Sequence, residues 1–163
     1  MDKKDAFLTA IGDHQGLIFK VASVYTNSTE DRDDVMQEII YQLWKSFDSF
    51  GQKSGLTTWM YRVAMNTAIY HLKLNKRKIK TFPLDEHFID VHEMSNTENE
   101  EKWQILKQHI DKLNLLDKGL VILYLENKSY EEMAQIIGIS TSNIGTKLSR
   151  IKEKLRVDIS KQL

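Results

Sequence analysis

The sequence predicts an all-α protein of two small helical domains, for three reasons. Apolar residues recur at spacings of three and four along most of the chain, as in amphipathic helices. This periodicity is lost over residues 81–97, which contain the only proline, Pro83. Residues 129–156 read as two helices joined by a tight turn. We therefore expect a first domain at 1–80, a flexible acidic linker at 81–97 and a helix-turn-helix domain at 98–163.

The composition is that of a soluble protein. Hydrophobic residues make up 41% of the chain and charged residues 28%, which suffices for folded cores. No apolar run approaches the ~18–20 residues that span a bilayer, and the apolar stretch near the N-terminus is too short for a secretory signal. The chain has no cysteine, which excludes disulfides and thiolate metal sites. We therefore predict a cytoplasmic protein without stable membrane insertion.

The net charge is zero, but the charges are unevenly distributed. Residues 1–80 hold 12 Lys and Arg against 9 Asp and Glu, and residues 102–163 hold 11 against 7. Residues 81–101 hold seven acids and no Lys or Arg. Two mildly basic segments thus flank an acidic one, so the distribution is more informative than the total.

The first domain shows the pattern of three helical segments. Residues 4–25 are periodic, and two glycines within them are expected to kink or split the helix. Ser28 can cap a second helix, which we expect to end near Phe47. The composition of residues 48–55 indicates a loop, and a third helix is predicted at 56–80.

The second helix carries an unusual stripe beside its apolar face. Val35, Ile39 and Leu43 mark the inner side at helical spacing. The stripe combines acidic, amide and aromatic side chains: Asp34, Gln37, Glu38, Tyr41 and Trp44. A large aromatic residue beside acids and an amide is more than a solvated surface needs, which indicates a partner. The alternative, that Trp44 belongs to the core, has equal support from the sequence.

The third helix combines aromatic and cationic side chains. Its polar side is formed by Thr58, Arg62, Asn66 and Lys73, and its rings are Trp59, Tyr61 and Tyr70. Bases of single-stranded nucleic acid stack on such rings while cations hold the phosphates. Core aromatics with a basic helix end are the alternative. That alternative does not explain Phe50, an aromatic residue in the predicted loop, or the polar residues in mid-helix.

Two further helices are predicted before the helix-turn-helix. One follows a capping residue at 95–97 and runs to about Leu113, and the other covers 117–125. Apolar residues dominate the second of these helices. We therefore expect Tyr124 and Leu125 to be mostly buried.

The helix-turn-helix is marked by caps and a turn. Ser129 and Glu132 have the spacing of a capping box. Gly138 falls where the chain must reverse, a position that often needs positive φ. Ser140 can cap the last helix, whose outward face is basic: Lys147, Arg150, Lys152, Lys154 and Arg156. A helix with such a face fits a DNA major groove, whereas a helical hairpin with a solvated basic face is the alternative.

Two separated stretches resemble one protein family, in the same order. They are DDVMQEIIYQLWKSFDSFGQKSGLTTWMYRVAMNTAIYHL at residues 33–72 and the helix-turn-helix at 129–156. They resemble the second and fourth conserved regions of the extracytoplasmic-function sigma factors of bacterial RNA polymerase. The resemblance implies that Asp34, Gln37, Glu38, Tyr41 and Trp44 dock on the clamp helices of the largest polymerase subunit.

The resemblance also implies two DNA-binding sites. Contacts to the minus-ten element, including capture of a flipped base beside Phe50, would come from Phe50, Lys53, Thr58, Trp59, Arg62, Asn66 and Lys73. Contacts to the minus-thirty-five element would come from Ser140, Thr141, Ser142, Asn143, Thr146, Lys147, Arg150 and Lys154. The chain departs from the family at Met65, where arginine is usual, and at Gly145, where a contact is lost.

The implied function is that of an alternative sigma factor, which directs promoter recognition, melting and transcription initiation. Its partners would be the RNA polymerase core, promoter DNA as duplex and as melted strand, and an anti-sigma factor. A stand-alone helix-turn-helix regulator and a helical adaptor without DNA are the alternatives. The sequence shows no nucleophile–base pair, metal cluster or phosphate loop, so neither an enzyme nor a cofactor is predicted.

Overall fold

The computed structural model describes residues 2–50, 55–78 and 97–161. Within these ranges all regular secondary structure is helical, without a strand, which confirms the predicted all-α class. The eight helices are α1 (Lys3–Gly12), α2 (Gln15–Tyr25), α3 (Thr29–Phe50), α4 (Leu56–Lys78), α5 (Thr97–Ile110), α6 (Leu115–Leu125), α7 (Tyr130–Ile137) and α8 (Thr141–Ser160). None of these helices has the length and apolarity needed to cross a bilayer.

The chain divides into two compact units, Met1–Asp85 and Glu86–Leu163. The first contains α1 to α4 and the second α5 to α8. The predicted acidic linker lies outside the described residues except for Thr97, where α5 begins. Each unit therefore has its own helices and its own core.

The N-terminal unit is built from α2, α3 and α4, which pack against one another. Their fully buried side chains include Val21 of α2, the predicted inner stripe Val35, Ile39 and Leu43 of α3, and Met60 of α4. The predicted first helix is split into α1 and α2 at Asp13 and His14, between the two glycines. There the His14 N–H donates to the Ile11 carbonyl oxygen at 3.0 Å in a tight turn.

The prediction of a loop at 48–55 was wrong for its first three residues. α3 continues to Phe50, whose ring stacks on Trp59 with centroids 4.8 Å apart. A polar composition indicated a loop, but this ring contact holds the last turn of α3 against the start of α4. α4 begins at Leu56, and its Trp59 N–H donates to the Gly55 carbonyl at 3.1 Å.

The C-terminal unit contains the predicted helix-turn-helix, α7 and α8, packed on α6. The capping box is confirmed: the Glu132 N–H donates to Ser129 Oγ at 3.1 Å, and the Ser129 N–H donates to Glu132 Oε1 at 3.2 Å. Gly138 has φ of 89°, the left-handed conformation that glycine adopts without a Cβ penalty. Ser140 caps α8 by accepting from the Asn143 N–H at 3.1 Å.

The core of this unit follows the predicted apolar stripe of α8. Ile144, Leu148 and Ile151 are buried, and Leu120 and Leu123 of α6 are buried as well. The predicted burial of the end of α6 was wrong, because its last two residues, Tyr124 and Leu125, are exposed. They lie where α6 ends at a turn rather than between helices, so apolar character alone did not decide their burial.

Candidate nucleic-acid and partner interfaces

The stripe predicted for partner binding lies along the exposed side of α3. Asp34, Gln37, Glu38 and Tyr41 are all exposed, and the Tyr41 side chain is 52% exposed. The opposite side of the helix is the buried inner stripe. The Glu38 carboxylate accepts a hydrogen bond at 3.1 Å from the Gln42 amide one turn on. The surface therefore offers carboxylates and a phenol ring together.

Ile40 adds an exposed apolar side chain to this surface of α3. It lies one turn beyond Gln37 and one turn before Trp44. No sequence signal distinguished it from the core residues around it. An exposed aliphatic residue beside the acids and Tyr41 gives this face the mixed character of protein-binding surfaces.

Trp44 is only half-buried and is shared between the stripe and the core. Its ring meets the edge of Phe7 of α1, with centroids 5.1 Å apart. The Lys3 ammonium lies 4.1 Å from the Trp44 ring centroid. Both interpretations of Trp44 thus have a physical basis, since one side of the ring is packed and the rest remains accessible.

The polar face of α4 is formed by Arg62, Asn66 and Lys73, all exposed. Tyr70 lies between the last two at helical spacing and is 64% exposed, the largest exposure among the aromatic rings of the described residues. The cation and ring combination predicted for single-stranded nucleic acid is therefore present, with Tyr70 as its ring. Tyr70 was not among the residues predicted to contact the minus-ten element.

Two predicted minus-ten residues do not lie on this exposed face. Thr58 and Trp59 are buried, so the placement of Thr58 on the polar side of α4 was wrong. Trp59 packs between Phe47, at 6.1 Å, and Phe50, at 4.8 Å and an interplanar angle of 23°. α4 begins against this ring cluster, which explains why the same helical side is buried at its first turn and exposed later. Lys53 lies outside the described residues.

Phe50 and Met65 clarify two features that the sequence left open. Phe50, half-buried at the end of α3, packs back onto Trp59 rather than standing in a loop. Met65, where the resembling family usually has arginine, is buried in the N-terminal unit. Met65 therefore contributes to the core, and the exposed cation nearest to it along α4 is Arg62.

The first turns of α8 present short polar side chains. Ser140, Thr141, Ser142, Asn143 and Thr146 are all exposed. Ser140 is engaged as the cap, and the Thr146 hydroxyl donates to the Ser142 carbonyl oxygen at 3.1 Å. This end of α8 resembles the N-terminal part of a recognition helix, where short donors and acceptors reach base edges.

The cations of α8 fall into two groups. Lys152 lies 4.1 Å from the Tyr124 ring centroid, and Arg156 donates two hydrogen bonds to Glu153, at 2.6 and 3.1 Å. These hydrogen bonds raise the pKa of Arg156 and lower that of Glu153. The remaining three, Lys147, Arg150 and Lys154, line one shallow groove together with Leu113, Asp117 and Ile151. Three cations at this spacing can neutralise phosphates along one groove edge.

Gly145 of α8 faces the Tyr130 ring of α7. A Cβ at this position would lie 3.4 Å from Cε2 of Tyr130, the first residue of α7. The Tyr130 side chain is itself partly exposed. The position at which the chain departs from the family pattern, Gly145, therefore lies beside the Tyr130 ring.

Models of two protein families match the chain in the order of its two units. Sigma-70 region 2 matches residues 10–78, and Sigma-70 region 4 matches residues 103–155. RNA polymerase sigma factor SigV of Bacillus subtilis (strain 168) is 28% identical over 160 residues, which cover 98% of this chain and 94% of that protein. The ECF RNA polymerase sigma-E factor of Escherichia coli (strain K12) is 31% identical over 150 residues, covering 83% of this chain and 78% of that protein.

Solved structures have the same fold. CnrH in complex with the cytosolic domain of CnrY gives a TM-score of 0.72 at 17% identity, covering 98% of this chain and 91% of CnrH. The sigma factor RpoE in complex with the anti-sigma factor NepR from Bartonella quintana gives 0.69 at 18% identity, covering 96% of each chain.

The two family matches decide between the alternatives that the sequence had left. A stand-alone helix-turn-helix regulator would leave the match over residues 10–78 without a role, and that interpretation is therefore wrong. A match in both regions, with a 31% identical relative covered over most of its length, identifies the family. The chain belongs to the extracytoplasmic-function sigma factors of bacterial RNA polymerase, and it is an alternative sigma factor that directs transcription initiation.

Proposed function

We propose that three separate faces carry out this function: α3 docks on the polymerase core, α4 holds the opened minus-ten strand, and α8 reads the minus-thirty-five duplex. The observation that carries the proposal is that most of the described polar residues predicted for each role lie exposed, among them Gln37 on α3, Asn66 on α4 and Arg150 on α8. The chain performs no chemical step in this scheme, because RNA synthesis belongs to the polymerase. It acts in the cytoplasm, where bacterial polymerase transcribes.

The α4 face suits an opened strand. Tyr70 offers an exposed ring on which a base can stack, a contact worth about 1–3 kcal/mol. Asn66 can hydrogen-bond a base edge, and Arg62 and Lys73 on the same side can hold the backbone phosphates. Base capture at the end of α3 would use Phe50, whose ring is already stacked on Trp59.

The α8 face suits intact duplex. Thr141, Ser142 and Asn143 at its N-terminal end offer short polar side chains to base edges in the major groove. Lys147, Arg150 and Lys154 supply charge to the flanking phosphates. Recognition of single-stranded DNA and recognition of duplex DNA are thereby assigned to different units of the chain.

An anti-sigma factor is the proposed regulatory partner. Two structures with this fold are complexes with a protein partner: CnrH with the cytosolic domain of CnrY, and the sigma factor RpoE with the anti-sigma factor NepR. A partner of this class would compete with polymerase if it covered the α3 face, where Tyr41 and Ile40 are exposed. The test is a competition experiment in which core polymerase and the partner compete for the wild-type protein or for the Tyr41→Ala variant.

The test of the main proposal separates docking from strand opening. Core polymerase is reconstituted with wild-type, Asn66→Ala or Tyr70→Ala protein on a promoter selected with the wild-type holoenzyme. We expect core affinity to be unchanged and open complexes, detected by permanganate reactivity, to fall about tenfold or more. Gln37→Ala should instead weaken core binding.

A matched control is Gln15→Ala, an exposed residue on α2 outside all three faces. It should behave as wild type in both measurements. Loss of core binding by Asn66→Ala, or normal strand opening by both α4 variants, would contradict the assignment of the α4 face.

A further inference from the structure

α1 is fastened to the end of α3 by aromatic contacts. Its Phe7 is 5% exposed and meets two rings of α3 edge-on: Trp44, with centroids 5.1 Å apart at 77°, and Phe47, at 5.4 Å and 80°. These distances and angles lie in the range in which aromatic pairs attract beyond simple burial. Phe7 therefore ties α1 to the last two turns of α3 specifically.

A charged contact reinforces the same attachment. Lys3, one turn before Phe7, forms an ion pair with Asp48 at 3.1 Å and lies 4.1 Å from the Trp44 ring centroid. The Lys3 side chain is only partly exposed, so its cation–π contact is partly shielded from solvent. Two successive turns of α1 thus hold the segment from Trp44 to Asp48.

The ring contacts continue from this segment to the candidate minus-ten site. Phe47 lies 6.1 Å from Trp59, and Trp59 stacks on Phe50 at 4.8 Å. Five rings therefore form one connected series from α1, through the end of α3, to the first turn of α4. Phe50 and Trp59 flank the passage of the chain from α3 to α4.

The family match does not account for this attachment. Sigma-70 region 2 matches from residue 10 onward, so both Lys3 and Phe7 precede it. We propose that α1 is a positioning element for promoter opening, in which Phe7 and Lys3 hold the end of α3 so that Phe50, packed on the buried Trp59, is placed to receive the opened strand. This inference rests on the proposed function of that end of the N-terminal unit.

Phe7→Leu is the informative variant, because it keeps apolar volume while removing both ring contacts. Its matched control is Val21→Ala, a fully buried change in α2 away from the ring series, which also lowers stability. The two holoenzymes are compared at temperatures equally far below their unfolding midpoints. A difference in opening rate between the two variants then does not simply reflect a difference in stability.

We expect the Phe7→Leu holoenzyme to open an intact promoter about five- to tenfold more slowly than the control, in line with the loss of two aromatic pairs. Core affinity should be unchanged, and a template premelted across the minus-ten element should restore RNA synthesis to within about twofold of wild type. Lys3→Gln should show a smaller defect of the same kind, and Lys3→Arg should restore wild-type opening because it keeps both charged contacts.

Three outcomes overturn the inference. Equal opening rates for Phe7→Leu and Val21→Ala would mean that Phe7 contributes stability only. Weakened core affinity in Phe7→Leu would mean that α1 acts through polymerase docking at Trp44. An undiminished defect on the premelted template would place its effect after strand opening. Asn66→Ala and Tyr70→Ala, run in parallel, separate the two proposals. If both open promoters normally, the α4 assignment fails; if they are defective and Phe7→Leu is not, only the role of α1 fails.

Discussion

Trp59 was predicted as a DNA-contacting residue but packs in the core of the N-terminal unit. It is 8% exposed and packs between Phe47 and Phe50. Truncating a buried tryptophan to alanine costs about 3–5 kcal/mol. Trp59→Ala would therefore impair folding as readily as promoter opening, and Asn66 and Tyr70, which are exposed, give the cleaner tests of strand binding.

At Gly145, alanine is expected to stabilise the protein. Its Cβ would meet Tyr130 Cε2 at 3.4 Å, an ordinary contact distance, and alanine is favoured over glycine inside a helix by about 1 kcal/mol. We expect the C-terminal unit of Gly145→Ala to gain about 0.5–1 kcal/mol, raising its unfolding midpoint by several degrees in a thermal melt followed by circular dichroism.

Gly138→Ala provides the opposite control. Its φ of 89° is one that residues with a side chain rarely adopt. Alanine there should therefore destabilise the unit by more than about 1 kcal/mol and lower the same midpoint. A lower midpoint for Gly145→Ala would instead show that Tyr130 cannot shift and that glycine is required for the approach of α7 to α8.

At the scale of the helix, features set by contacts within one turn could be predicted from the sequence, whereas features set by packing between helices could not. The start of α7 could be predicted because Ser129 and Glu132 satisfy each other within one turn. The end of α3 could not be predicted, because the last turn of α3 is held by the stacking of Phe50 on Trp59, a residue of another helix. The candidate site shows the same division: the spacing predicted the exposed Arg62 and Asn66, whereas the burial of Thr58 depends on packing between helices that no periodicity contains.

The capping box of α7 gives a pH-dependent prediction. The pKa of Glu132 is lowered from its ordinary 4.5, chiefly by the hydrogen bond from the Ser129 backbone N–H. A lowered pKa in the folded state means that the carboxylate stabilises the fold above pH 4.5 and that this contribution is lost as the pH falls through the lower folded-state value. Because the carboxylate is largely exposed, the contribution should be only about 0.3–0.5 kcal/mol.

Glu132→Gln should therefore be less stable than wild type near pH 7, and the difference should shrink in thermal melts as the pH falls below 4.5. Ser129→Ala is the matched control: it removes the hydroxyl but keeps the backbone N–H that binds Glu132. It should cost about 1 kcal/mol near pH 7, and most of this cost should persist on acidification because the hydrogen bond from the Glu132 N–H to the Ser129 hydroxyl does not titrate. A stability difference between wild type and Glu132→Gln that widens on acidification would rule out this role for the carboxylate.

At the scale of the whole molecule, the charge distribution leads us to expect that DNA binding depends on polymerase. The 23 cations are balanced by 23 acids, so the chain as a whole has no net attraction for a polyanion. The basic side chains are instead concentrated locally, as with Lys147, Arg150 and Lys154 on one edge of α8. Such a small patch supports specific contacts once the helix is held in place, but it supplies little affinity by itself.

This leads to a prediction about the isolated protein. We expect it to bind a minus-thirty-five duplex only in the non-specific range, with Kd of about 10⁻⁴–10⁻⁶ M at physiological salt, and the holoenzyme to bind far more tightly. In the holoenzyme, Arg150→Gln or Lys154→Gln should reduce the slope of log K against log salt concentration by about 0.9 each, as one phosphate contact is lost. Fluorescence anisotropy over a salt series measures both quantities.

Lys161→Gln is the control for this series, because Lys161 is an exposed cation two turns beyond Lys154, past the end of α8. It should leave the slope unchanged, since a phosphate contact requires a cation at the groove edge and not merely on the same unit. An equal change for Lys161→Gln would indicate diffuse attraction instead of the assigned contacts. Tight, sequence-selective binding by the isolated chain would show that α8 needs no polymerase to hold it in place.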